Sequence, residues 1–136
     1  MSISVLRLGS PRQPDEGLRI GTVRRPPRGI PKSDFAKRNF YDVWLPTLSP
    51  SAELVAFAQN SEDDKSWRIF ERKFRSEMSK PDASRVLDLL SAFSHHANFS
   101  VGCYCEDEAR CHRSVLKKLL AERGAKLNSE VKASSR

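Results

Sequence analysis

The segment that most limits how this chain can fold is Phe99–Tyr104, a short apolar run rich in strand-forming residues. It is too short for a helix and has no helical spacing, so it reads as a buried strand. Helix-like segments precede it, and a further one follows at Val115, Leu116, Leu119 and Leu120, stopping at Gly124. A buried strand set between helices is the building unit of a parallel sheet. The expected fold class is therefore α/β, a single domain with a small, mostly parallel sheet flanked by helices. It should span residues 1–127, with 128–136 a disordered tail of Ser, Lys, Glu and Ala type.

The remaining segments fit this frame. Apolar alternation marks strands at Ser2–Leu8 and Leu18–Val23, with the turn-like stretch Pro11–Gly17 between them. Three prolines and a glycine make Arg24–Pro31 an irregular loop, and Tyr41–Leu48 should be extended with Val43, Trp44 and Leu45 packed inward. Ser49 and Pro50 suit the cap and first turn of a helix reaching about Gln59. Trp67, Phe70, Phe74 and Met78 follow helical spacing across residues 64–79, while Arg68, Glu71, Arg72 and Arg75 fall on other faces. That stripe reads as core, with an exposed partner groove as the alternative. Pro81 ends this helix, and Asp82 can cap the next, whose Val86, Leu89, Leu90 and Phe93 should point inward. His95 and His96 follow in a polar turn, where histidines serve a helix end or a metal less often than they face water.

Size and charge narrow the class of protein. At 136 residues the chain suits one hydrophobic core. No apolar run approaches the ~18 residues of a spanning helix, and the first residues lack a signal-peptide pattern. No membrane association is expected, and the cytoplasm is the expected compartment. The net charge of +7 is uneven: residues 1–38 carry nine basic and three acidic side chains, residues 39–100 seven and nine, and residues 101–136 eight and five. In the basic first part Arg24, Arg25 and Arg28 bracket two prolines ahead of Gly29. Such a stiff cationic turn can offer planar guanidinium forks to phosphate, or simply present solvated charge.

All three cysteines fall within residues 103–111, an odd and clustered set that is not a secreted disulfide framework. Cys105 should end the strand, and Cys111, His112 and Arg113 should open the last helix. Ligands favour that place in parallel sheets, because free N–H groups and partial positive charge gather at a helix start. A cysteine there has its thiolate stabilised, and Arg113 can bind a phosphate. Three chemistries compete. Cys103, Cys105, Cys111 and His112 have the atom types of a zinc site, but their spacing departs from the usual patterns and no metal ligands are assigned. A phosphatase-like thiol loop from Cys105 to Arg113 lacks the glycine of a tight phosphate nest. A Cys105–Cys111 redox pair depends on geometry. Structurally, the cysteines can instead be small buried hydrophobes, with Arg113 paired to Glu106 or Asp107.

Several segments together resemble the YeaO-like family, domain of unknown function 488, over about Ser4 to Leu120. They are Gly17-Leu18-Arg19-Ile20 leading to Pro27-Arg28-Gly29; Trp44 and Leu48 with Pro50-Ser51 and Leu54; Trp67, Phe70, Phe74, Glu77 and Met78; and Cys105-Glu106 with Cys111-His112-Arg113. Relatives commonly carry an Asp-Arg-Leu-Trp-Pro-Arg-Gly type segment where this chain reads Val23-Arg24-Arg25-Pro26-Pro27-Arg28-Gly29, so the aspartate and tryptophan are missing. The resemblance implies a small cytoplasmic α/β protein whose Arg-Gly loop and Cys-His-Arg helix start face one another; it carries no settled activity.

The expected function is an anion-binding α/β domain, acting on or binding a phosphate-bearing small molecule or nucleic acid. Arg25, Arg28, Gly29 and Arg113 would bind the ligand. Cys105 or Cys111 would be the nucleophile, His112 a general acid or base, and Glu106 its orienter. No cofactor is assigned. The alternatives are a non-catalytic basic nucleic-acid module, in keeping with a pI near 9.7, and a thiol- or zinc-based protein.

Overall fold

Four short parallel strands make one sheet: β1 (Ile3–Arg7), β2 (Leu18–Gly21), β3 (Val43–Trp44) and β4 (Phe99–Cys103), in the order β1-β4-β2-β3. The structure is a computed structural model that describes residues 1–60, 63–105 and 111–128. β4 lies between β1 and β2 with every residue buried, as its composition requires. Val101 is registered against Val5 on one side and Ile20 on the other. Gly102 belongs there for want of space: a Cβ would come within 2.5 Å of the Leu6 carbonyl oxygen.

The strand period of two sorts the faces. Ile3, Val5, Ile20, Phe99 and Val101 join one apolar core with all four helices: α1 (Ala52–Gln59), α2 (Asp64–Met78), α3 (Pro81–Phe93) and α4 (His112–Glu122). Phe70, Phe74 and Met78 are buried in that core with Trp67 packed against it, so the aromatic stripe is core. Leu6 belongs instead to a smaller cluster with Leu8, Val23, Tyr41, Cys103 and Cys111, against which Phe35, Phe40 and Tyr104 pack.

The segment joining β1 to β2 carries a buried polar clamp. Gly17 makes its last turn at φ +76°, where a Cβ would strike the Asn98 carbonyl. Arg19 is wholly buried and binds Glu16 through Nε and Nη2 at 2.7 and 2.8 Å. Its Nη1 donates to the Ser10 and Asn39 carbonyls, and its backbone N–H donates to Asp42. One side chain thus ties the segments on both sides of β2 to that strand.

Several details differ from the sequence expectations. Ser51, not Ser49, caps α1 by accepting from the Leu54 N–H at 3.2 Å. Ser49 is spent earlier, its hydroxyl closing the 3₁₀ turn Pro46–Leu48 on the Pro46 carbonyl. Pro81 is the first residue of α3 and Asp82 lies in its first turn, so Asp82 is no cap. The buried face of α3 is Ala83, Leu87 and Leu90, with Leu89 and Phe93 exposed and Val86 only partly buried. Ser94 closes the end of α3, its hydroxyl donating to the Ser91 carbonyl and accepting the Lys126 N–H. Val43 and Trp44 sit exposed on edge strand β3, although Leu45 packs on the core. The Trp44 indole N–H still donates to the Val23 carbonyl at 2.7 Å.

α4 ends at Glu122, and Gly124 just past its cap takes φ +80°. Beyond it, Ile3 donates to the Lys126 carbonyl and Asn128 donates back to the Ile3 carbonyl, so the chain continues along the outer edge of β1. Residues 129–136, assigned by sequence to a tail, lie outside the described ones. Among the described residues no helix is long and apolar enough to cross a membrane.

Candidate functional site at the β4–α4 turn

β4 delivers Cys103, Tyr104 and Cys105 to its C-terminal end, and α4 starts at His112 after Cys111. Cys103 and Cys111 are buried and Cys105 is exposed. The sulfurs of Cys103 and Cys111 and a ring nitrogen of His112 all lie within 4.8 Å of one another. Cys103 and Cys111, eight positions apart in sequence, close into one contact because the strand end and the helix start share the sheet's C-terminal edge.

His112 is held by two neighbours. Its Nε2 lies 2.6 Å from the Thr22 carbonyl oxygen, an atom that can only accept, so Nε2 carries the proton. The lone pair is therefore on Nδ1, which sits 3.7 Å from Cys111 Sγ. Phe74 of α2 packs edge-on against the ring at 5.6 Å. Burial pushes the imidazole down to about 4, and the nearby Arg113 charge acts in the same direction. Thr22 is fixed in turn, its hydroxyl and N–H both donating to the Gly102 carbonyl at 3.0 Å.

The three thiols share charge unequally. Hydrogen bonds from Cys103 and Cys111, then the charge of Arg113, hold the Cys105 thiol far below its ordinary value. The bonds Cys103 makes to Cys105 and Cys111, together with burial, drive Cys103 strongly up. Cys111 is lowered by Cys103 but raised by Cys105 and by burial, with the net result upward. The three shifts thus run in opposite directions, down for exposed Cys105 and up for buried Cys103 and Cys111.

Arg113 completes the site. It is 4% exposed, and its Nη2 donates to the Cys105 carbonyl at 2.9 Å. Its Nε, also buried, has no hydrogen-bond partner among the described residues. Glu106 and Asp107, the sequence-based partners for His112 and Arg113, lie outside the described residues.

The structure brings Cys105, Cys111, His112 and Arg113 together as the sequence suggests. The Arg24–Pro31 loop approaches by its backbone: the Tyr104 hydroxyl donates to the Arg25 carbonyl at 3.0 Å. The Arg25 and Arg28 side chains are exposed and form no ion pair among the described residues, while Gly29 turns at φ +72° with open space around it. Arg24 points elsewhere, donating to the carbonyls of Pro50 and Ser49. Sequence reasoning missed Thr22, whose contribution is a backbone carbonyl and leaves no side-chain signal. It also missed the buried role of Arg19, since an arginine on an alternating strand normally reads as solvent-facing.

A parallel α/β sheet with its helices on one face, and a Cys-His-Arg cluster where the last strand meets the last helix, define the class of this protein. A family model described as the active DUF488-N3 subclade matches residues 3–124. The chain belongs to that family, domain of unknown function 488, in agreement with its YeaO-like motifs. No curated protein and no solved structure matches it.

Proposed function

We propose that this protein binds a phosphate-bearing ligand, a nucleotide or a nucleic-acid end, at the start of α4, with Arg113 as the anion anchor. The carrying observation is the buried Arg113 guanidinium, whose Nε has no partner among the described residues. A buried donor left unmade costs roughly 1–3 kcal/mol, and an anion that accepts from it removes that cost. The helix start adds N–H groups and partial positive charge, and Arg offers the planar fork that matches phosphate. The exposed arginines 25 and 28 and the +7 net charge favour the same ligand class by long-range attraction. Of the thiols that sequence reasoning assigned to nucleophilic work, Cys105 is exposed and Cys111 is buried, so the role falls to Cys105.

Thermal unfolding of the reduced protein against phosphate, sulfate, nucleotides and short oligonucleotides, at matched ionic strength, tests this. A ligand at 100 times its Kd stabilises by about 2.7 kcal/mol. The expected result is a selective shift with one phosphate-bearing class that Arg113→Lys weakens by roughly tenfold or more in affinity. No shift beyond that of chloride, or a shift unchanged by the substitution, overturns the reading. A non-catalytic nucleic-acid module would respond to oligonucleotides alone, with affinity falling steeply as salt rises.

A further inference from the structure

We propose that Cys103, Cys111 and His112 form a site for one thiophilic divalent cation, zinc by its ligand chemistry, buried between the end of β4 and the start of α4. The site stands on residues other than Arg113 and does not depend on the anion reading.

Geometry is the first support. Zn–S bonds of about 2.3 Å and Zn–N bonds of about 2.0–2.1 Å place neighbouring ligand atoms of a tetrahedron roughly 3.5–3.8 Å apart. Cys111 Sγ and His112 Nδ1 are 3.7 Å apart, and with Cys103 Sγ the three atoms lie within 4.8 Å. A contraction of about 1 Å at most would bring all three onto one cation.

The second support is orientation. Metal-bound histidines almost always donate their other ring N–H to a carbonyl or carboxylate, which aims the free lone pair at the metal. His112 has that arrangement, with Nε2–H on the Thr22 carbonyl at 2.6 Å and Nδ1 turned to Cys111. Two thiols that merely filled core space would not require a neighbouring lone pair turned to one of them.

The donor set selects the ion. Two thiolates and a neutral imidazole suit zinc among divalent ions, whereas magnesium and calcium need oxygen ligands. Two thiolates also balance a divalent charge in a place where Cys103 and Cys111 are each only 1% exposed. These three ligands leave the fourth corner of a tetrahedron to water or a further ligand. The irregular sequence spacing is no obstacle, because the strand end and helix start, and not a local knuckle, bring the ligands together.

The full chain, purified under reducing conditions and stripped with chelator, should take up one Zn²⁺ per molecule by native mass spectrometry. Co²⁺ in its place should give a thiolate-to-cobalt charge-transfer band and the intense visible absorption of a tetrahedral site. Cys111→Ser should weaken Zn²⁺ binding roughly 100-fold or more in competition with a chromophoric chelator, since even second-shell changes cost 10–100-fold. Arg113→Lys should leave it within a few-fold, which separates this site from the anion site. Absence of stoichiometric uptake, a cobalt spectrum without sulfur charge transfer, or binding undiminished in Cys111→Ser each overturns the proposal. The cobalt spectrum is read on the wild-type chain, so the test survives a variant that fails to fold.

Discussion

Two arginines, Arg19 and Arg113, are buried among the described residues, and their surroundings differ in kind. Arg19 meets a carboxylate through two nitrogens and two loop carbonyls through a third, with Glu16 buried beside it. Arg113 reaches one carbonyl through Nη2 and leaves Nε unmatched among the described residues. A buried cation is retained either because its partners are complete or because a partner arrives from outside. The first arginine fastens the loops over the sheet, and the second is the anion anchor of the proposed function.

The contrast can be broken most severely at Arg19. Arg19→Met strands Glu16 as a buried carboxylate, and we expect a loss of about 3–5 kcal/mol in urea unfolding. The double change Glu16→Gln with Arg19→Met should recover part of it. If Arg19→Met were nearly neutral, the clamp would not be the structural element described above.

Arg113→Lys should show the opposite balance. It keeps the charge and gives up the fork, so the fold should lose no more than about 1.5 kcal/mol, the worth of one hydrogen bond, while phosphate-dependent stabilisation falls as stated above. A stability loss as large as that at Arg19 would make Arg113 a second structural clamp.

His112 extends the comparison to pH. Its unfolded imidazole takes a proton near 6.5, whereas the buried ring does so only near 4. Protonation therefore favours the unfolded chain. Stability from this group is level above pH 6.5 and falls as pH drops from 6.5 toward 4, by at most about 1.4 kcal/mol per unit. Unfolding measured across that range with chelator present should show this slope in the wild type, and His112→Asn should flatten it.

The smallest effect belongs to an arginine at the surface. Arg123 binds Asp88 at 3.0 Å, but the Asp88 side chain is largely exposed. Asp88→Asn should change stability by less than about 1 kcal/mol in the same assay, because water already solvates such pairs.

Much of the fold was legible because burial leaves a period in the sequence. β4 and the Phe70, Phe74, Met78 stripe are read from spacing alone, and Gly124 marks the end of α4. The inner face of α3 runs through Ala83, Leu87 and Leu90 and leaves Leu89 and Phe93 exposed, a phase that apolar spacing alone did not give, and the turn at Pro46–Leu48 takes up Ser49, so that Ser51 caps α1. The Cys105, Cys111, His112 and Arg113 group was legible as a cluster, since those residues are close in sequence.

By itself, then, the sequence determined an α/β domain with a parallel sheet and a polar, thiol-rich turn after its last strand, because apolar periodicity and helix punctuation are local properties. Tertiary structure alone decided that β4 inserts between β1 and β2, that every helix buries its apolar face in one core, that the Thr22 carbonyl fixes the His112 tautomer, and that among the described residues Arg19 is saturated while Arg113 Nε is not. Those facts depend on backbone groups and on partners distant in sequence, and no local pattern of side chains encodes them.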